Sequence, residues 1–415
     1  MFDIDKWQEI LFTIRKNKLR TFLTAFSVAW GIFILIILLG VGTGLQRGVE
    51  YDFRNDAINS IRISAGQTSL PYKGLQPGRR WSLKSEDYRD IKNKIKGVEH
   101  ATARFHCRGD FTVRYRHKYA SFNVRGVSPD MMYIENQTPV LGRYINRLDL
   151  QSRRKVAVIG TKVVEGLFDK GANPIGKWID ISGVQYRVVG VYKDQGEEGE
   201  MKNILIPLST AQVAYNAKNT VHTIMYTVGD ASVKESIAMA DQTREMLSEK
   251  YRFDPKDQRA IYIGNNLENF RKFKNLFLGV KAFLWVIGLF TIIAGIVGVS
   301  NIMYIVIKDR TREIGVRKAI GAPPGSIIGL FLQESILITL VAGYIGLIAG
   351  IAVIEFAKWA LVAFDVNAPY FKDPEIDLFT AVMATVLLVV SGAAAGYFPA
   401  RKAAGVDPIV ALRDE

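Results

Sequence analysis

Four stretches of the chain run for twenty positions or more without a charged residue: 21–45, 282–307, 335–354 and 378–397. A helix rises about 1.5 Å per residue, so roughly twenty residues cross the ~30 Å hydrocarbon core of a bilayer. A soluble domain rarely holds several such runs. In lipid, by contrast, a helix satisfies every backbone donor and acceptor within itself. The sequence therefore predicts four transmembrane helices, at 21–45, 282–307, 326–354 and 378–398. The first run is too long for a signal-peptide core and lacks a small-residue cleavage site, so it reads as a retained span.

The charges flanking these runs set the orientation. Lys6, Arg15, Lys16, Lys18 and Arg20 precede the first, and Arg401 and Lys402 follow the last. The loop 308–325 carries Lys308, Arg310, Arg312, Arg317 and Lys318 against Asp309 and Glu313. Short basic segments stay in the cytoplasm. The loop 355–377 has only Lys358 and Lys372 against Glu355, Asp365, Asp373, Glu375 and Asp377, which suits the outer side. Both termini are expected in the cytoplasm, with residues 46–275 outside a bacterial cytoplasmic (inner) membrane. That outer segment holds 38 of the 54 basic and 26 of the 40 acidic residues. Large domains translocate regardless of such an excess. The excess fits a solvated surface, membrane lipid headgroups or an acidic partner. No nucleic-acid partner is expected.

Residues 308–325 form the most informative short segment. Ile314, Ala319 and Ile320 can share one apolar side of a short helix, leaving Arg310, Arg312, Glu313 and Arg317 for a partner. Gly321 is a plausible stop, and Pro323-Pro324 cannot continue the ladder. Such a helix can dock on a cytoplasmic protein and pass force into two spans; a plain orientation-fixing loop would need the same charges. Glu334 lies near the start of the third span. It is either a polar link between this loop and the bundle or an interfacial residue at the helix start. Gly346 with Gly350, and Gly392 with Gly396, are small-residue pairs at helical spacing and suit close helix packing. Residues 1–20 place Ile4, Trp7, Ile10, Leu11 and Ile14 on one helical face, as in an interfacial helix.

The segment 46–275 alternates strand and helix signals. Residues 58–66 read as a strand, 85–96 as a helix capped by Ser85 and ended by Gly97, and 154–193 as strand, helix, turn and two strands. A further strand is expected at 221–228 and a helix at 237–251. The pattern predicts a mixed α and β domain with an inserted β-rich piece.

Catalytic signatures are absent from the sequence. Gly171 to Lys177 has phosphate-loop spacing, but Trp178 stands where a metal-binding hydroxyl belongs and Pro174 removes a backbone donor. Gly40, Gly42 and Gly44 sit inside a membrane run with no preceding strand. His100, His106, Cys107 and His117 lack any zinc-site spacing. No nucleophile elbow or Ser-His-Asp order appears. The single cysteine, Cys107, excludes a disulfide within the chain. No metal, catalytic residue or cofactor is expected.

The segment TREIGVRKAIGA at 311–322 resembles the signature of MacB-type, FtsX-like permeases of ABC transporters. KNKLRTFLT at 16–24, the run from RRKVAVIG to VQYRVVGV with LIPLSTAQ, and PARKAAGVDPIVALR at 399–413 are similar to other parts of that family. The resemblance implies an α-helical membrane protein with four transmembrane helices and a large extracytoplasmic α+β domain. That domain would comprise an α/β subdomain and a β-rich insert at about 114–203. It implies that 308–325 is a coupling helix for a cytoplasmic ABC ATPase, carried by Arg310, Arg312, Glu313, Ile314, Gly315, Arg317 and Lys318. ATP would be bound by that partner, expected as a separate chain, and this chain would be no enzyme. A second permease copy would complete a homodimer or close heterodimer, with a periplasmic adaptor and outer-membrane channel as further partners. The implied function is export by mechanotransmission. Regulation of an extracellular hydrolase and release of lipoproteins are the alternatives within the same family.

Overall fold

A computed structural model describes residues 18–52, 57–107, 111–194, 199–364, 368, 371–376 and 378–405. The interfacial helix expected over residues 1–20 and the end of the C-terminal tail lie largely outside them. The chain divides into two units, residues 50–275 and the two flanking segments together. In chain order the elements are α1 (Lys18–Asp52), β1 (Ser60–Ala65), β2 (Leu83–Lys84), α2 (Ser85–Lys94), β3 (Ala101–His106), β4 (Thr112–Tyr115), β5 (Lys118–Ser121), β6 (Asn123–Val127), α3 (Met131–Ile134), β7 (Thr138–Gly142) and α4 (Arg147–Gln151). There follow β8 (Val156–Gly160), α5 (Thr161–Leu167), β9 (Trp178–Ile181), β10 (Val184–Lys193), β11 (Asn203–Pro207), α6 (Leu208–Ala214), β12 (Thr220–Val221), β13 (Thr223–Thr227), α7 (Val233–Tyr251) and β14 (Ile261–Asn265). The last four are α8 (Asn266–Asp309), α9 (Thr311–Ala319), α10 (Pro324–Ala363) and α11 (Leu378–Ala404).

The central unit is a 12-stranded mixed sheet, ordered β14-β1-β13-β3-β6-β11-β8-β10-β9-β4-β5, with β7 on the other stretch of β10. β6 runs parallel to β11 and β8 parallel to β10. Strand side chains alternate between faces. The alternation explains the mostly apolar runs VAVIG, NILIP and TIMYT, which are buried on both faces. Ala157, Ile159, Ile204, Ile206, Ile224 and Tyr226 join the larger core, while Val158, Leu205 and Met225 join the smaller one with Met131, Ile134, Tyr144 and Tyr192. The segment expected as a β-rich insert is hydrogen-bonded into this same sheet.

Local details depart from the expected boundaries for physical reasons. Helix α2 begins at Ser85, but Ser85 is not the cap: Lys84 precedes the helix, and its N–H donates to Asp87 Oδ2 at 2.7 Å. The Ser85 hydroxyl instead accepts from Gln212 Nε2 at 2.7 Å. The helix ends at Lys94, where Ile95 turns to extended geometry while its N–H bonds the Ile91 carbonyl; Gly97, expected as the stop, lies two residues further on in the following turn at φ +91. Helix α7 begins earlier than the apolar spacing suggests, because Ser232 and Glu235 form a reciprocal capping box. Buried Asp87 also receives Lys250 Nζ at 2.6 Å and the Tyr251 hydroxyl at 2.6 Å, tying α2 to the end of α7.

Asp257 fixes the loop after α7. Its carboxylate accepts from the Ser69 N–H and hydroxyl at 2.5 and 2.7 Å, and from the N–H groups of Leu70 and Arg259, both at 3.0 Å. Burial works against the anion, yet these donors hold its pKa down to about 2.

In the flanking unit, α1, α8, α10 and α11 are, among the described residues, the four helices long and apolar enough to cross a membrane. Their core joins Ile32, Leu35, Ile36, Val299, Met303, Phe331, Leu347 and Leu388. Lipid offers apolar side chains no reason to leave it, so association depends on close backbone approach at small residues. A Cβ at Gly346 would stand 2.2 Å from the Ala29 carbonyl oxygen, and one at Gly350 2.7 Å from Ile36 Cγ2. These two seat α10 on α1. Gly392 and Gly396 seat α11 on α10, where a Cβ would meet Ile336 Cα at 3.1 Å and Ser335 Oγ at 2.0 Å. The Ser335 hydroxyl donates across that seam to the Gly392 carbonyl at 3.0 Å. At one end of the bundle, Arg47 bonds Glu375 at 2.5 Å and the Asp373 carbonyl at 2.9 Å, pinning the α10–α11 connection to α1. The Arg47 guanidinium holds the Glu375 carboxyl below its ordinary range.

Two expected outcomes follow from this packing. Gly346→Ala should cost about 1–3 kcal/mol because helix backbones must separate, whereas Gly298→Ala, with nothing within 4 Å of the added carbon, should be neutral; thermal unfolding in detergent compares the two. Asp257 has a folded pKa of about 2 against an ordinary value near 3.8, so it contributes roughly 2–3 kcal/mol at neutral pH. That contribution is complete above about pH 4 and lost as pH falls toward 2, so the stability gap between the parent and Asp257→Asn should close over that window.

Candidate functional site

The loop joining α8 to α10 is built around α9. Arg310 leaves helical geometry at φ −106 and ψ 16, which turns the chain between α8 and α9. The Thr311 hydroxyl donates to the Lys308 carbonyl at 2.8 Å and steadies that turn. At the far end Gly321 adopts φ +99. The Ala322 N–H bonds the Arg317 carbonyl and the Gly321 N–H bonds the Lys318 carbonyl, both at 3.0 Å. This is a Schellman stop, and only glycine takes its left-handed position without strain. Pro324 then opens α10, where its missing N–H costs nothing.

Helix α9 is fastened to three neighbours. Ile314 and Gly315 are buried, and Ile314 packs in the same core as Ile307, Ile327 and Phe331. Lys318 Nζ donates to the Ala404 carbonyl at the end of α11, 2.7 Å away. Arg310, whose side chain is 14% exposed, makes the central link. Its Nε and Nη2 grip both Glu313 oxygens at 2.8 and 2.9 Å. Its Nη1 lies 3.5 Å from Glu334 Oε2, and its guanidinium sits 5.8 Å from the centre of the Phe331 ring. Glu334, 2% exposed, is eleven positions into α10 by sequence and wholly within the bundle. Arg317 Nη2 also reaches Glu313 Oε1 at 2.9 Å.

This geometry corrects two expectations. The inward side of α9 is Ile314 with Gly315, not Ile314 with Ala319 and Ile320: Ala319 is exposed and Ile320 is 81% exposed. The outward stripe is Arg312, Val316 and Ile320, at i, i+4 and i+8, with Ala319 beside it. Arg310 turns inward, because a guanidinium flanked by Glu313 and Glu334 is better placed between carboxylates than in solvent. Glu313 and Arg317 are half-buried and bind each other. Sequence reasoning missed Val316 as an outward residue, though its spacing from Arg312 and Ile320 was available.

The other sequence candidates lie elsewhere. Gly171 to Lys177 forms a turn before β9, with the Gly176 N–H bonded to the Val188 carbonyl at 2.8 Å. His100 stacks on Tyr133 and the His106 ring faces His222. Burial and neighbouring Arg104 lower the His106 pKa to about 4, and burial pushes the Cys107 thiol up to about 12. Among the described residues, no cluster of three or more metal-ligating side chains occurs.

Four membrane-type helices, a tightly bound interhelical loop helix and a mixed α/β domain define a multi-span membrane protein with a large domain inserted after its first span. Residues 21–242 match the family model described as MacB-like periplasmic core domain, and residues 285–408 that described as FtsX-like permease C-terminal. The chain belongs to this MacB-type, FtsX-like family of ABC-transporter permeases. It is 30% identical to the macrolide export ATP-binding/permease protein MacB of Chlorobaculum tepidum, over 97% of this chain and 60% of that protein. It is 29% identical to the pyoverdine export ATP-binding/permease protein PvdT of Pseudomonas aeruginosa, over 96% of this chain and 57% of that protein. The chain thus spans about three fifths of the relatives' length. The solved periplasmic region of MacB from Actinobacillus actinomycetemcomitans aligns with 54% of this chain and 96% of its own, at TM-score 0.44 and 18% identity.

A double-mutant cycle tests the Arg310 link. Arg310→Met leaves Glu334 buried without its cation and should cost about 3–5 kcal/mol, while Arg310→Met with Glu334→Leu should recover most of the loss. Unfolding in detergent reads both.

Proposed function

We propose that the chain is the membrane-spanning half of an ABC exporter of the cytoplasmic membrane, with α9 as its coupling helix. An ABC ATPase docks on the outward stripe of Arg312, Val316 and Ile320 from the cytoplasmic side. Two such permeases, as a homodimer or close heterodimer, stand over two ATPases. ATP-driven closure shifts α9, and the motion enters α10 through Arg310 and Glu334 and α8 through the short turn at Arg310. Helices α1 and α8, which flank the inserted domain in sequence, carry it to residues 46–275 on the outer side. Cargo is captured and expelled there, through an adaptor and an outer-membrane channel, without a conduit across the bilayer. Relatives named for macrolide and pyoverdine export support an export role. The observation that carries the reading is the two-sidedness of α9: one face is ion-paired and buried in the bundle, while the other is apolar, exposed and flanked by Arg312.

Val316→Asp combined with Ile320→Asp removes that apolar face without touching the inner one. The variant should fold, fail to retain the ATPase on purification from membranes, and lose at least tenfold in export. Undiminished ATPase association and export in this variant would overturn the docking assignment.

A further inference from the structure

Most cations near the carboxylates of the central unit are already matched. Arg104 pairs with Glu135, Arg125 with Glu200 at 2.5 Å, and Arg143 with Asp149 at 2.6 Å. One cleft departs from this pattern. It is a solvent-open groove of about 630 Å³ between α2, α4 and α6, within the ~300–1,000 Å³ typical of small-molecule sites. Lys92 and Asp130 on its wall bind each other at 2.7 Å, and Asp130 is the one carboxylate among the lining residues. Arg89, Arg147 and Arg153 line the same cleft. All three are exposed, and none forms a salt bridge with a carboxylate among the described residues. Asp149, on the same short helix as Arg147, is taken by Arg143 and by Arg154 at 3.7 Å.

The walls are held in place by hydrogen bonds rather than left to drift. The Ser209 hydroxyl donates to the Leu150 carbonyl at 2.5 Å and the Thr210 hydroxyl to the Arg154 carbonyl at 2.9 Å, fastening α6 to the end of α4 and the turn that carries Arg153. Gln212 Nε2 bonds Ser85 Oγ at 2.7 Å and the Thr220 carbonyl at 2.9 Å, fastening α6 to α2. Three arginines, on α2, on α4 and on the turn after α4, therefore line one concavity. Like charges gathered in a cleft repel one another and focus a positive potential, so an anion entering it relieves a standing cost. Guanidinium forks match phosphate and carboxylate oxygens in pairs. Leu150 and Leu208 add a small apolar surface beside them.

We propose that this cleft is a binding site for a small, multiply charged organic anion, a phosphate ester or a polycarboxylate. A flat membrane surface would not fill a recess. The proposal is independent of the docking role assigned to α9, since binding is read without ATPase or transport.

The full chain in nanodiscs of neutral phosphatidylcholine, titrated calorimetrically with pyrophosphate and with citrate, provides the test. Saturable binding of one anion per chain is expected, weakening as salt rises. Arg147→Gln and Arg153→Gln should each weaken it by about tenfold or more, the loss of a charge-assisted pair. Arg114→Gln removes an exposed charge outside the cleft and should change binding less than twofold. Unchanged melting of the unliganded variants shows that their folds are intact; Arg89→Gln gives the same reading from α2 if α4 is disturbed. Absence of saturable binding by both anions, equal weakening by Arg114→Gln, or full affinity in the cleft variants would each overturn the assignment.

Discussion

Arg310 stands between carboxylates from two different helices, and the fastening of α9 depends on that arrangement. A guanidinium so little exposed would be costly alone, as would Glu334 inside the bundle. Together with Glu313 they form a chain of opposite charges from the loop helix into α10. Such a link is weak evidence for stability, because desolvation offsets much of its attraction. Its consequence is geometric. Rotating α9 while α10 stayed still would leave charge buried without a partner, so the two helices have few independent arrangements. On the proposed reading, that restriction turns docking at the outward face into movement of a span.

The spans are joined by a different force. Between apolar surfaces in lipid the hydrophobic effect supplies little, and the glycines at 346, 350, 392 and 396 bring backbones into contact. The seams run α1 to α10 and α10 to α11, so α10 is both the helix gripped by Arg310 and the centre of the bundle's close packing. The inserted domain is organised by water instead. Its central strands bury both faces, its buried carboxylates at Asp87, Glu135, Asp149 and Asp257 are matched to cations or backbone donors, and three arginines that form no salt bridge among the described residues line one cleft.

Much of this was legible in the sequence. Uninterrupted apolar runs suffice to announce membrane helices, because length and absence of charge are local properties. The small-residue pairs were visible for the same reason, though not which helix each would meet. The strands β8 and β13 read as apolar runs, but the continuity of the sheet from β14 to β5 did not, since strand pairing is long-range information. The orientation of α9 was misjudged for a specific cause. Nine residues allow several apolar faces, and hydrophobicity alone favoured placing Ile320 inward with Ile314. The choice was made by Arg310 and Lys318, whose partners, Glu334 and the Ala404 carbonyl, lie far along the chain. Glu334 stood out as an ionisable residue in an apolar setting, but its role as the far end of a salt-bridge chain required the fold.

The account turns on the loop helix and the inserted domain facing opposite sides of the bilayer. With Cys107 replaced by serine, single cysteines at exposed Ile320 and exposed Lys218 can be treated with a membrane-impermeant maleimide in vesicles of known orientation. The account predicts that right-side-out vesicles label position 218 and spare 320, and that inside-out vesicles reverse the pattern. Labelling of both positions from the same side would contradict it.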